Sequence, residues 1–277
     1  MSAFKNLRGK RALITGAASG IGYEMAIAFA REGVDIIALD LQEEALGVLT
    51  QSIESIGCSC RSVVLDVTDA AAFKNLFANL ASNGEFPDIV VNNAGIGFMG
   101  DFLNTDNSMW QRVLDINVVG VINGCRAFLE TRGESNAPGV IINFASAASI
   151  APMPNMSAYA ASKYAVEGLS EVLAMELEGS SVKVMCVHPG VINTPIVKHP
   201  ELTRISTQQL EKLQDYYTSN GAPPATVADA VVAGVKSGSG NVFTGPSMSL
   251  TVFLKHLLPR SWFRRVLLKN AREIGYL

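Results

Sequence analysis

The sequence predicts an α/β fold, a single doubly wound parallel sheet with helices on both faces. Three observations predict it. Short runs rich in Val and Ile alternate with longer amphipathic runs from the start to about residue 190. No linker or internal repeat divides the 277 residues, a length that suits one large domain. Hydrophobic residues make up 48% of the chain and charged ones only 17%, so it must fold around buried surface.

The strand candidates are residues 12–15, 35–39, 61–65, 89–91, 140–144 and 182–187. Between them lie helical stretches at 22–31, 43–55, 70–80, 110–129 and 158–177. Strands that alternate with helices pair in parallel through right-handed crossovers, which opens the sheet in both directions from its middle. Residues 133–139 read as a surface loop. The stretch from about 194 to 224 interrupts the alternation with polar helix signals and proline-rich ends, and is expected over the carboxyl ends of the strands as a helical substrate lid. A last strand at 241–244 precedes a basic, apolar tail at about 251–277.

The formal net charge of -3 gives no reason to expect nucleic acid as a partner. The first residues lack the apolar core and cleavage site of a secretory signal, and no uncharged run is long enough to span a bilayer. A soluble cytoplasmic protein is expected. Cys58, Cys60, Cys125 and Cys186 are scattered among apolar segments, with neither zinc nor redox-pair spacing, and read as buried thiols. His188, His199 and His256 are far apart, so no metal site is expected.

A glycine-rich turn, Thr15-Gly16-Ala17-Ala18-Ser19-Gly20-Ile21-Gly22, joins the first strand to the first helix. Glycines allow the tight turn and let a pyrophosphate approach the amides of a helix N-terminus. Asp40 ends the second strand, 18 residues after Gly22. A carboxylate there accepts hydrogen bonds from ribose hydroxyls and repels the extra phosphate of NADP, while Leu41 and the turn offer no cation to neutralise it. NAD(H) is therefore expected over NADP(H). The competing reading makes Asp40 an ordinary helix cap.

Tyr159 and Lys163 lie four apart in a helical stretch, so both emerge on one face. A nearby ammonium favours phenolate, which suits a tyrosine to acid–base work near neutral pH. Ser146 follows the strand at 140–144, and Asn92-Asn93-Ala94-Gly95 follows the strand at 89–91, both at the sheet edge where ligands collect. Asn117 interrupts a long helical stretch with poor propensity, which points to a task other than helix formation.

Together these stretches resemble the short-chain dehydrogenase/reductase family in its main branch, with a Rossmann-type sheet. The likeness is carried by TGAASGIG at 15–22, Asp66-Val67, NNAG at 92–95, Asn117, Ser146 with YAASK at 159–163, and PGVINT at 189–194. The resemblance implies that Tyr159 is the general acid/base and that Ser146 orients and polarises the carbonyl. It implies that Lys163 binds the nicotinamide ribose and lowers the pKa of Tyr159, and that Asn117 holds a water in a proton relay. Gly16, Ser19, Gly20, Ile21 and Gly22 would cradle the cofactor, Asp40 and Leu41 would meet its ribose, and Asp66 and Val67 would flank the adenine. Asn93, Ala94 and Gly95 would line the cleft, and Pro189, Gly190, Ile192 and Thr194 would contact the nicotinamide amide.

Ile96, Phe98, Met99, Met153, Met156 and Ile196 fall near the expected reaction centre, and none is charged. A lipophilic alcohol or ketone substrate follows, although methionine and phenylalanine also serve as core. In the tail, Lys255, Arg260, Arg264, Arg265, Lys269 and Arg272 mix with apolar residues. It either packs on the lid or on a neighbouring subunit, or lies as an amphipathic helix on an anionic membrane surface. Two other readings share the fold: a non-redox epimerase or dehydratase, and an NAD-binding regulator without turnover. Relatives of this kind pair the long helices here at 110–129 and 158–177, so a homo-oligomer, a tetramer or a dimer, is expected.

Overall fold

The computed structural model describes residues 3–133, 135–197 and 203–277. Seven strands form one parallel sheet: β1 Arg11–Thr15, β2 Asp35–Asp40, β3 Cys60–Val64, β4 Ile89–Asn92, β6 Gly139–Phe144, β7 Val182–Pro189 and β9 Asn241–Thr244, in the order β3-β2-β1-β4-β6-β7-β9. Two further strands, β5 Met99–Gly100 and β8 Thr203–Arg204, pair with each other as a separate parallel ribbon. The helices are α1 Gly20–Arg31, α2 Glu43–Ile56, α3 Ala70–Ser82, α4 Asn107–Leu114, α5 Gly120–Arg132, α6 Ser157–Glu176, α7 Thr207–Asn220, α8 Pro224–Ser237, α9 Met248–Leu257 and α10 Arg260–Ile274. The doubly wound sheet is borne out.

The central strands β1, β4 and β6 are buried along nearly their whole length because both faces are covered, whereas the edge strands β3 and β9 keep exposed positions. On one face Met25 and Phe29 of α1, Leu46 and Leu49 of α2, and Val227 and Val231 of α8 form a single cluster with Ile14, Ile36 and Ile142 of the sheet. On the other, Phe73 and Phe77 of α3, Val121 and Phe128 of α5, and Val166 of α6 pack with Leu13, Ile37 and Ile141. Strand order reverses between β1 and β4. The carboxyl ends of these two strands therefore diverge into a crevice, and the loops after them carry the glycine turn and the Asn93–Gly95 segment.

Three elements differ from expectation. The helical stretch at 110–129 is not continuous: α4 passes into a π-helical turn, Asp115–Val119, before α5 begins. Asn117 lies inside that turn, and the widened backbone is how a poor helix former is accommodated. The tail is two helices rather than one, broken where Pro259 caps α10. The lid region is built on α7, closed at its start by a reciprocal capping box between Ser206 and Gln209 and tied back by the ribbon of β8 with β5. Residues 198–202 of the lid, His199 among them, lie outside the described residues. Among the described residues no helix is long and apolar enough to cross a membrane.

Candidate active site

A cleft of about 810 Å³ opens at the sheet reversal. It is lined by Gly16, Ser19, Gly20 and Ile21 from the first turn, Asp40 and Leu41 from the end of β2, Asp66 and Val67 after β3, and Ala94 and Gly95 after β4. Gly16 and Gly20 have φ of +65° and +56°, where side chains are strained. A Cβ on Gly16 would sit 2.9 Å from the Ala94 Cα, and one on Gly22 would collide with the Gly16 carbonyl oxygen. Gly22 thus shapes the turn from behind and does not line the cleft. Ser19 stands at the start of α1 without using its hydroxyl as a cap, which leaves that group to the cleft. A narrow, glycine-floored crevice with free polar groups at a helix N-terminus fits a dinucleotide.

Asp40 is not the N-cap of α2, which is Gln42. One of its carboxylate oxygens accepts from the amides of Leu41 (2.7 Å) and Gln42 (3.2 Å), and the other from the amide of Ala18 at 3.0 Å. It thus holds the glycine turn to the end of β2 and still lines the cleft. Arg112 of α4 lines the same cleft, a cation with no signal in the sequence. Asn93 turns its carboxamide to the turn as well, donating to the carbonyls of Thr15 (3.0 Å) and Gly16 (3.2 Å). The loops after β1 and β4 are therefore one hydrogen-bonded unit.

Ser146, Tyr159 and Lys163 meet where this cleft joins a second cavity, of about 270 Å³. Ser146 begins the turn after β6, accepts from the Ala148 amide at 3.1 Å, and lines the cavity beside the Tyr159 phenol. One helical turn further along α6, the Lys163 ammonium donates to the carbonyl of Phe144, the last residue of β6, at 2.9 Å. It lies 5.7 Å from the centre of the Tyr159 ring. Asn117 is fully buried: its Oδ1 accepts from the Ile96 amide at 2.8 Å, and its Nδ2 donates to the Ile96 carbonyl and to Ser162 Oγ, both at 3.0 Å. Both side-chain protons are thus committed to clamping the loop after β4 onto α6. Gly95 runs between the two: a Cβ there would come within 3.1 Å of Asn117 Oδ1 and 3.5 Å of Lys163 Nζ.

Burial pushes the Tyr159 phenol up to about 12, against the pull of Ser146 beside it, and drives the Lys163 amine down to about 8. Loss of water is the largest cause of both shifts, and the ammonium spends its bond on Phe144.

The second cavity takes Phe98, Met99, Met153, Met156 and Ile196 in its wall, together with Pro189, Gly190, Ile192 and Thr194 from the end of β7. Ile96 faces the dinucleotide cleft instead. Phe98 is also core, packed on Met109, Val113 and Ala158. Much of the remaining wall comes from the expected lid, through Tyr216 and Tyr217 of α7, and from segments not expected there, Met248 and Thr251 of α9 and Ile274 and Tyr276 at the end of the tail.

The tail reaches the site by packing on the lid. Ala271 of α10 is fully buried, and Lys212 of α7 donates to the Arg272 carbonyl at 3.3 Å. Asn155, in the loop before α6, donates to the Tyr276 carbonyl at 2.7 Å. Lys255 is no solvated cation: it donates to the Ser149 carbonyl at 3.1 Å and lies over the Tyr164 ring. His188 is buried between Ser149 and Phe243.

The amine of Lys163 titrates lower in the folded chain than in the unfolded one. Below about 8 both states hold the proton and the folded state bears the full cost of burying it. As pH rises from there towards 10.5 only the unfolded state keeps it, so this group adds stability with rising pH. Between pH 7 and 9 the gain is about 1 kcal/mol, and Lys163→Met should remove it, as read by urea unfolding at each pH. An identical pH response in both proteins would contradict the burial.

Residues 10–204 match the profile of the short chain dehydrogenase family. The chain is 39% identical over 229 residues to the oxidoreductase EphD of Mycobacterium tuberculosis, a match covering 80% of this chain but only 39% of that longer protein. It is 36% identical over 194 residues to 3beta-hydroxysteroid dehydrogenase 1 of Eggerthella lenta, covering 70% of this chain and 74% of that one. Among solved structures, a short chain dehydrogenase/reductase from Burkholderia phymatum in complex with NAD superposes with a TM-score of 0.83 at 29% identity, covering 91% of this chain and 94% of the other. With this sheet, this cleft and these matches, the chain belongs to the short-chain dehydrogenase/reductase family of oxidoreductases.

Proposed function

We propose that the protein transfers a hydride between NAD(H) and a lipophilic secondary alcohol or ketone, with Tyr159 as the proton donor and acceptor. The observation that carries this reading is that Ser146, Tyr159 and Lys163 together line an apolar cavity that shares Asn93, Gly95 and Thr194 with a dinucleotide-shaped cleft. A nicotinamide cofactor, when bound, supplies or accepts the hydride. The chain's own residues handle the proton.

Ser146 accepts from a backbone amide, which leaves its hydroxyl free to engage a substrate oxygen beside the phenol. Tyr159, held neutral by burial, carries the proton a ketone needs on reduction. Lys163 lines the junction with its ammonium fixed by Phe144, in reach of a ribose hydroxyl and able to stabilise phenolate once the cleft is filled. Asn117 positions the loop of Gly95 and Ile96, and its place in the π turn suits the proton relay. Gly16, Ser19, Gly20 and Ile21 would hold the pyrophosphate, with Gly22 behind them. Asp66, Val67, Asn93, Ala94 and Gly95 would line the adenine and ribose sites, and Pro189, Gly190, Ile192 and Thr194 the nicotinamide site.

NAD(H) is favoured over NADP(H) because the Asp40 carboxylate stands in the cleft at the end of β2. The apolar wall of Phe98, Met153, Met156 and Ile196 favours a lipophilic substrate over a sugar or an acid. Self-association is proposed along α6, where Tyr164, Val172 and Met175 are exposed on one face beside an open gap at Gly168. The outward faces of α9 and α10 expose Phe253, Leu257 and Trp262 beside Arg260 and Arg264, a pattern suited to a subunit or to peripheral contact with an anionic bilayer.

Tyr159→Phe should abolish turnover with little change in NADH affinity measured by fluorescence titration; retained turnover would refute the proton role. Because the phenol must be deprotonated to oxidise an alcohol and protonated to reduce a ketone, oxidation should speed up and reduction slow down as pH rises, read in initial rates over a panel of apolar and polyol substrates. A preference for polyols would sink the substrate class. The ratio of kcat/KM for NADH over NADPH should exceed about 10 and collapse in Asp40→Ser, since removing a like-charge clash is worth more than 1 kcal/mol. An NADPH preference in the unaltered protein would overturn the cofactor assignment.

A further inference from the structure

The cavity beyond Ser146 and Tyr159 holds a second polar feature that the proton chemistry does not use. Tyr217, on the inward face of α7, and Tyr276, just past α10, place their hydroxyls 2.7 Å apart. Both side chains line the cavity, and Tyr276 is almost completely buried. Tyr159 lies close enough for its charge to be felt by Tyr276, and that of Tyr217 by Tyr159.

Hydrogen-bond accounting shows what the pair lacks. Each phenol has one proton to donate. One proton closes the bond between the two hydroxyls, and the other has no acceptor among the described residues. Met99, Met153, Met156, Ile196 and Ile274 pack around the pair, and the further hydroxyls of Tyr216 and Thr251 in the lining are not hydrogen-bonded to it. Burial raises both phenols, so each keeps its proton at neutral pH. Such a donor is satisfied in native proteins by protein or by water, so the spare proton is open to an acceptor that enters the cavity, where a ligand oxygen would take the place of water.

We propose that Tyr217 and Tyr276 form an oxygen-reading subsite, and that the substrate carries a second neutral oxygen, as a ketone, ether or hydroxyl, which takes the pair's spare proton. The inference rests on the reading that Ser146 and Tyr159 hold the reacting oxygen. A carboxylate is disfavoured, since Lys163, the cation in the cavity lining, is held at the Phe144 carbonyl and burial would leave the ligand's charge poorly matched. The subsite is assembled by the packing of the tail, on the lid through Lys212 at the Arg272 carbonyl and on the loop before α6 through Asn155 at the Tyr276 carbonyl. Lid and tail would then be selected together by the far end of the ligand.

The test compares ligand pairs by isothermal titration calorimetry on the full chain with saturating NAD: fused-ring diketones of two, three and four rings, each against the monoketone in which the distal carbonyl is CH2. For at least one ring length the diketone should bind about tenfold more tightly, because the monoketone leaves a buried donor unpaired. Tyr217→Phe combined with Tyr276→Phe keeps both rings and should bring the preference below about twofold. Equal affinities in the unaltered protein at every length, including no measurable binding of either ligand, overturn the subsite. So does a preference that survives loss of both hydroxyls, which would leave the pair a latch for the tail, read as a lower Tm alone. Tyr159→Phe should keep the binding preference while losing turnover. Failure of hydride transfer in the unaltered protein therefore counts against the redox reading, and failure of the affinity ratio against the subsite.

Discussion

The ammonium of Lys163 is the constraint around which the site is arranged. It is buried under α6 with one hydrogen-bond acceptor, the carbonyl at the end of β6. A charge in that position costs stability, and a hydrophobic residue of similar shape would fold more easily. Holding it there fixes how α6 lies on the sheet. Tyr159 one turn earlier and Ser146 two residues beyond Phe144 are then brought to the same point. A side chain at Gly95 would press on Asn117 Oδ1, beside the ammonium. Such a local loss of stability is expected where chemistry, not folding, selects the residue.

The surrounding loops are braced by side chains that bind backbone of neighbouring loops. Asn93 binds the glycine turn to the loop after β4, and Asp40 binds the same turn to the end of β2. Asn117 ties the next stretch of that loop to α6 through Ile96 and Ser162. The π turn is what allows this: one extra residue in the helical turn swings the carboxamide inward while α4 and α5 remain on a single path. A rigid cleft built from three mobile-looking loops is the result, which matters because a bound cofactor must be held within fractions of an ångström of the reacting atoms.

The substrate side is built differently. Its wall mixes residues from the ends of β6 and β7 with residues from the lid and the tail. The sheet side offers the groups proposed to react, and the lid side offers shape and a few hydroxyls. Function on this fold is divided in the same way, with the chemistry on the scaffold and the selection on the attachments.

Much of this could be read before any coordinates. Val- and Ile-rich runs separated by amphipathic ones determined the parallel sheet, and the spacing of Gly16–Gly22, Ser146 and Tyr159 with Lys163 determined which strand ends would matter, because those signals are local and repeat with the period of the backbone. Tertiary structure alone decided the rest. Gly22 was legible as part of the turn but not as its rear support, and Asn117 as an anomaly but not as a clamp, since each depends on what approaches from a distant segment. Tyr276 lies 117 residues beyond Tyr159 in a tail with no periodic link to the site, and only the docking of α10 on α7 brings it into the cavity. The sign of the Tyr159 shift was also beyond the sequence. Spacing shows that an ammonium is near, but whether its field or the loss of water prevails depends on how deeply both are buried.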